Sequence, residues 1–190
     1  MDDDGVLIQR YLGGDADAFE ELVRRHQNVL FAFLLGRTRS RPLAEDLLQE
    51  TFLRMLTHLP EYRHRDRLRS WLFRIAHHLV IDDVRARPPG QVSLDARPAR
   101  LEGEGPAAGD TLPAPDARRP DRIAEGREEA ARARAALDRL VPAQREVVLL
   151  RQAGLAFKEI ARIQGCSINT ALGRMHDAVL ILRRALEADA

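Results

Sequence analysis

Phe157-Lys158-Glu159-Ile160-Ala161-Arg162-Ile163-Gln164-Gly165-Cys166-Ser167-Ile168-Asn169-Thr170-Ala171-Leu172-Gly173-Arg174-Met175-His176-Asp177-Ala178-Val179-Leu180-Ile181-Leu182 is the stretch from which the fold is read. Its apolar positions recur at spacings of three and four on both sides of a break at Gly165-Cys166-Ser167. A short helix, a turn of about three residues and a longer helix make a helix-turn-helix. Ile160 and Ile163 face inward on the first helix, and the small Ala161 lets the two helices cross closely. Ser167 is placed to cap the second helix, whose buried stripe reads Ile168, Ala171, Met175, Val179 and Leu182. The opposite face carries Asn169, Thr170, Gly173, Arg174, His176 and Asp177. In a DNA-binding helix-turn-helix the second helix enters the major groove by its N-terminal part. Asn and Arg there pair with base edges, and Thr reaches a phosphate or a thymine methyl. A plain helical hairpin shares the periodicity, but the turn length, Ala161 and the Ser167 cap favour DNA binding.

Upstream, Pro142 opens a helix over 143–153 with the run Val147-Val148-Leu149-Leu150, and Gly154 breaks it. An Ala, Arg and Glu-rich stretch predicts a further helix over 122–140. Residues 121–190 thus form a C-terminal domain. Seven of the ten prolines fall in 88–120, with Gly90, Gly103, Gly105 and Gly109 among them. That segment lacks apolar periodicity and reads as a linker, because it cannot bury enough surface to offset its ordering entropy. The N-terminal domain, 1–87, reads as helices. One lies near 5–12. A second runs over 16–35 behind an Asp15 N-cap. A third follows Pro42, with Leu43, Leu47, Leu48, Met55 and Leu56 as its inner stripe. The last begins about Ser70, carries Trp71, Leu72, Ile75, Leu79 and Val80, and stops at Pro88. No strand alternation is present, so the fold class is all-α, two small helical domains.

Apolar residues at 45%, charged residues at 31% and aromatics at 5% fit a soluble protein whose cores rest on Leu, Ile, Val and Ala. The net charge of +1 conceals an asymmetry. Residues 1–59 hold seven Arg against ten acids, and residues 60–87 seven Arg against four. With one cysteine, Cys166, no internal disulfide can form and no zinc site can rest on cysteines. The acidic start, Met1-Asp2-Asp3-Asp4, lacks a secretion pattern, and the apolar run Val29–Leu35 is too short to span a bilayer. A cytoplasmic location without membrane insertion is expected. No phosphate loop, nucleophile elbow or metal-ligand spacing is found. We therefore expect no enzyme, no cofactor and no metal.

Three stretches resemble the extracytoplasmic-function group of RNA polymerase sigma factors, the sigma-70 family. They are Asp17-Ala18-Phe19-Glu20-Glu21-Leu22-Val23-Arg24-Arg25-His26; Ala44-Glu45-Asp46-Leu47-Leu48-Gln49-Glu50-Thr51-Phe52-Leu53-Arg54 with Ser70-Trp71-Leu72-Phe73-Arg74-Ile75-Ala76-His77; and Leu140-Val141-Pro142-Ala143-Gln144-Arg145-Glu146-Val147 with Phe157-Lys158-Glu159-Ile160-Ala161. The resemblance implies that 1–87 is sigma region 2 and 121–190 region 4. It implies that Glu45, Asp46, Gln49 and Glu50 dock on a basic coiled coil of the polymerase beta-prime subunit, as charge complementarity suits. It implies that the segment 61–78 recognises and melts the −10 element. Arg63, Arg65, Arg67, Arg69 and Arg74 supply charge there, and Tyr62, His77 and His78 supply planes for unstacked bases. Trp71 suits either stacking on DNA or a core. His78 stands where many members carry Asn.

The helix-turn-helix, with Ser167, Asn169, Thr170, Gly173, Arg174 and His176, is then the reader of the −35 element, in a domain that also meets the polymerase beta flap. Here the sequence departs from the family. Leu172 and Gly173 replace a basic residue and Ser, and Asp177 stands where a base is frequent. An anti-sigma protein is the further partner that the resemblance implies. The other reading of the residues is a helix-turn-helix regulator acting without polymerase.

Overall fold

Residues 4–62, 67–86 and 131–188 are the described part of the computed structural model, and every regular element among them is helical. Asp4–Leu12 forms α1 and Ala16–Thr38 forms α2. Asp15 caps α2 by accepting from the Asp17 N–H at 3.1 Å, the bond an Asp N-cap exists to make. The helix runs three residues beyond the expected end, because Gly36 does not break it. It stops at Arg39, whose left-handed backbone (φ 56°) closes the last turn on the Leu35 carbonyl. Arg41–His58 is α3, with Ser40 accepting from the Leu43 N–H and Pro42 in the first turn. A 3₁₀ turn, Leu59–Glu61, ends it, and Leu68–Ala86 forms α4. Leu22, Leu30, Phe33, Met55, Leu72 and Phe73 are fully buried among these helices. The Phe33 and Phe73 rings meet edge to face at 5.1 Å, the arrangement that the ring quadrupole favours.

The C-terminal part comprises α5 (helical over 131–138), α6 (Pro142–Gln152), α7 (Phe157–Ile163) and α8 (Ile168–Ala188). The expected start of α5, 122–130, lies outside the described residues, as does the linker 88–120. Arg145 on α6 is buried and donates to the carbonyls of Leu137, Asp138 and Leu140 at 2.9–3.3 Å. It thereby satisfies acceptors that a helix end leaves open. Gly154, at φ 85°, and Gly165, at φ 61°, make the two turns of this domain, a backbone that side chains with a Cβ resist. Ala161 is buried beneath α8, as close crossing requires.

Some inward positions differ from the expected stripes. Leu56 is exposed, and Ala44 and Thr51 are buried in α3 instead. Thr51 hides its hydroxyl by donating to the Leu47 carbonyl at 2.7 Å. On α8 the buried residues are Ala171, Ala178 and Ala185, while Ile168 and Val179 are exposed. Small residues let α8 lie close to α6 and α7, which turns the neighbouring bulky side chains outward. The two domains also touch: one buried cluster runs from Leu7 through the α2–α4 core to Val147, Leu149 and Ala171.

Candidate nucleic-acid interface

Three surfaces carry the expected site residues. On α3, Glu45, Asp46 and Gln49 are exposed and Glu50 is half-exposed. Arg41 pairs with Glu45 and Arg54 with Glu50, each at 2.8 Å and one helical turn apart. Such exposed pairs contribute under about 1 kcal/mol, so both acids can turn to another cation. Leu53 lies one turn beyond Gln49 on the same face and is 58% exposed. The sequence reading missed it. Its spacing of four and seven from Gln49 and Asp46, off the inward stripe, was the available signal.

The second surface is a groove of about 460 Å³ where α3, the 3₁₀ turn and α4 meet, lined by residues that include Arg54, His58, Tyr62, Trp71, Arg74 and His78. The Tyr62 and Trp71 rings lie 4.8 Å apart at 37°. Both rings pack against the core on one side and are half-exposed on the other. Trp71 thus serves as core and presents a face to the groove. His58, Arg54 and Glu61 also line it, and they were not expected. They come from the end of α3 and the turn after it, folded against α4. Arg67 is exposed, and Arg63 and Arg65 lie outside the described residues.

Two residues expected to face the −10 element lie instead against the C-terminal domain. Arg69 Nη1 donates to the Ala153 carbonyl at 3.2 Å. His77 is 8% exposed, its Nδ1 2.7 Å from Glu146 Oε1. Arg37 Nε stands 3.3 Å from the same oxygen, near enough to pair by charge but without hydrogen-bond alignment. The Gln164 amide donates to Glu146 Oε2 at 2.9 Å. Burial by itself would raise the Glu146 carboxyl; the His77 bond, the Arg37 charge and the Gln164 amide outweigh it and hold the group below the ordinary glutamate value.

The third surface is the start of α8. Asn169, Thr170, Gly173 and His176 are exposed. Ser167 Oγ accepts from the Thr170 N–H at 3.0 Å and lies 2.8 Å from its hydroxyl. Both hydroxyls therefore serve the cap. Arg174 is half-buried, donating to Gln164 Oε1 at 2.8 Å with Cys166 Sγ 3.6 Å away. Its guanidinium braces the turn. Ile168 and Leu172, 45% and 43% exposed, stand on the same face as Asn169. A face of one amide, one imidazole and two aliphatic side chains suits base edges and thymine methyls better than phosphates.

The sequence matches Sigma-70 region 2 over residues 22–88 and Sigma-70 region 4 over residues 130–186. It is 33% identical over 180 residues to the RNA polymerase sigma factor CarQ of Myxococcus xanthus, spanning 94% of this chain and 95% of that protein. It is 32% identical over 182 residues to the ECF RNA polymerase sigma factor SigC of Mycobacterium tuberculosis, spanning 93% and 85%. Among solved structures it is similar to CnrH in complex with the cytosolic domain of CnrY, with a TM-score of 0.66, 25% identity and full coverage of both chains. These matches span both domains, which a regulator sharing only the helix-turn-helix does not explain. The chain belongs to the sigma-70 family of RNA polymerase sigma factors, in the extracytoplasmic-function group.

Proposed function

We propose that this sigma factor works through three surfaces in series. The outer face of α3 binds the beta-prime coiled coil of core polymerase, with Glu45, Asp46, Gln49 and Glu50 as its charged and polar rim and Leu53 as its apolar anchor. The Tyr62–Trp71 groove, flanked by Arg67, Arg74 and His78, takes bases of the opened −10 element, and Arg63, Arg65, Arg69 and His77 complete the set. The face of α8 reads the −35 element through Asn169, Leu172 and His176, while its domain meets the beta flap. The protein performs no covalent chemistry of its own; it supplies binding energy that is realised only on promoter DNA. No described helix is long and apolar enough to cross a membrane, and the cytoplasm is where its polymerase and DNA are found. CnrH is known in complex with the cytosolic domain of CnrY, and an anti-sigma protein, the partner that the family implies, is proposed as a further partner here.

The observation that carries the reading is the half-buried Tyr62–Trp71 pair opening on a groove lined by Arg54, Arg74 and His78 as well as Glu61. Stacking contributes about 1–3 kcal/mol per base. Tyr62→Ala should reduce open-complex formation at least about fivefold, the lower end of that range, seen by permanganate footprinting, with core affinity unchanged. Full melting by this variant would remove the groove from the mechanism. Separately, Leu53→Ser should weaken core binding about tenfold without loss of helicity by circular dichroism. An unchanged affinity would leave α3 without its apolar anchor.

A further inference from the structure

The groove between α3, the 3₁₀ turn and α4 holds an acid where a DNA-binding surface has most reason to avoid one. Its α4 wall carries Trp71, Arg74 and His78, spaced by three and four and so on one helix face. Its α3 wall carries Arg54 and His58, one turn apart. Glu61 stands between the walls on the 3₁₀ turn, next to Tyr62, and is exposed. A carboxylate repels backbone phosphates, so it subtracts from the attraction that dominates DNA affinity. It does what an arginine or a tryptophan cannot, which is accept a hydrogen bond.

Unstacked bases differ in the donors they offer to such a group. Guanine presents two side by side, N1–H and the N2 amino group, at the spacing of the two oxygens of one carboxylate. Adenine and cytosine offer an amino group beside an acceptor nitrogen, and thymine one N–H between two carbonyls. Guanine alone therefore meets a carboxylate with two parallel bonds. Its other edge carries O6 and N7, the acceptors that an arginine fork takes bidentately. Arg74 supplies that fork, exposed and one turn from Trp71.

We propose that the groove selects a guanine at one position of the opened −10 element, with Glu61 as the discriminating residue. This rests on the function proposed above, in which the groove takes bases. The guanine ring stacks on the Tyr62–Trp71 pair. Its N1–H and N2 amino group donate to Glu61, and its O6 and N7 accept from Arg74. Arg54 and His58 meet the flanking phosphate, which the Glu61 charge keeps out of the groove. In the duplex, cytosine occupies the N1–H and the amino group. Glu61 therefore reads the base only after its pair has opened, which couples recognition to melting.

Holoenzyme assembled from the full chain and cognate core tests this. Selection from a promoter library should return guanine at one −10 position at least. Inosine, which lacks only the N2 amino group, then replaces each −10 guanine in turn. Its pair with cytosine is the weaker one, so any loss of opening does not come from a stronger duplex. At one position inosine should reduce open-complex formation at least about tenfold, the lower end for a hydrogen bond to a charged group. Glu61→Gln keeps the shape of the side chain but sets a donor against a donor. With it, that position should no longer distinguish guanine from inosine, while the other −10 positions keep their preferences. A −10 element without guanine, equal opening on inosine at every position, or discrimination that Glu61→Gln leaves intact would each overturn the proposal. If Tyr62→Ala loses melting while no position depends on Glu61, the groove stands and the guanine assignment alone falls. If Tyr62→Ala melts every promoter in full, the groove is not the base site and both fall.

Discussion

Arg174 shows how a residue can sit on the proposed reading face of a helix and spend its charge elsewhere. Its guanidinium is bonded to Gln164 and lies on Cys166, so Arg174→Ala should cost the C-terminal domain about 1 kcal/mol in urea unfolding. Unchanged stability with lost promoter affinity would return Arg174 to base reading. Asp4 makes a second residue-scale case. It lies 3.0 Å from His26 Nε2 and 3.4 Å from Arg25, and Arg25 also pairs with Glu21. The His26 bond, ahead of the opposing effect of burial, holds the Asp4 carboxyl below the ordinary value of 3.8. Its folded pKa is depressed, so its stabilisation is present above that value and fades as pH falls through the lower, folded one. The stability difference between wild type and Asp4→Asn should therefore shrink as pH falls below 3.8. A difference that grows with acid would contradict this.

At the scale of elements, caps and turns were legible because their chemistry is local. Asp15, Ser167, Gly154 and Gly165 could be read from neighbours within a few positions, and each sits where its side chain or its freedom of φ is used. Ser167→Ala should lower C-terminal stability by about 1 kcal/mol, measured by thermal unfolding; no change would mean that Thr170 replaces the cap. Stripes were read less well. Leu56, Ile168 and Val179 keep helical spacing but are exposed, because spacing gives a face and not its width. How far a face is covered depends on how closely the neighbouring helix approaches, and alanines at 171, 178 and 185 set that on α8. The surplus apolar side chains at 168 and 172 then fall on the exposed face proposed to read DNA. Leu53, likewise apolar and outward, is found only once the burial of α3 is known.

For the whole molecule, the family and its two domains were legible from motifs, and the joint between the domains was not. His77 and Glu146 are 69 residues apart in sequence, and nothing local in either marks the other as its partner. The charge of the reading face also has its consequence at this scale. With Leu172 and Gly173 exposed and Asp177 beside them, few phosphate contacts are available from the N-terminal half of α8. The salt dependence of −35 binding should therefore be shallow, since each phosphate contact contributes a slope of about −0.9 in log K against log salt. A slope of −6 or steeper would show a strongly basic reader instead.

Promoter-directed transcription by purified cognate core polymerase, with and without the protein and over a promoter library, tests the central claim most directly. The account predicts initiation that depends on the protein and converges on one shared sequence of two separated elements, with Tyr62→Ala losing the downstream element's contribution. A protein that shifts duplex DNA alone and never supports initiation with core would contradict it.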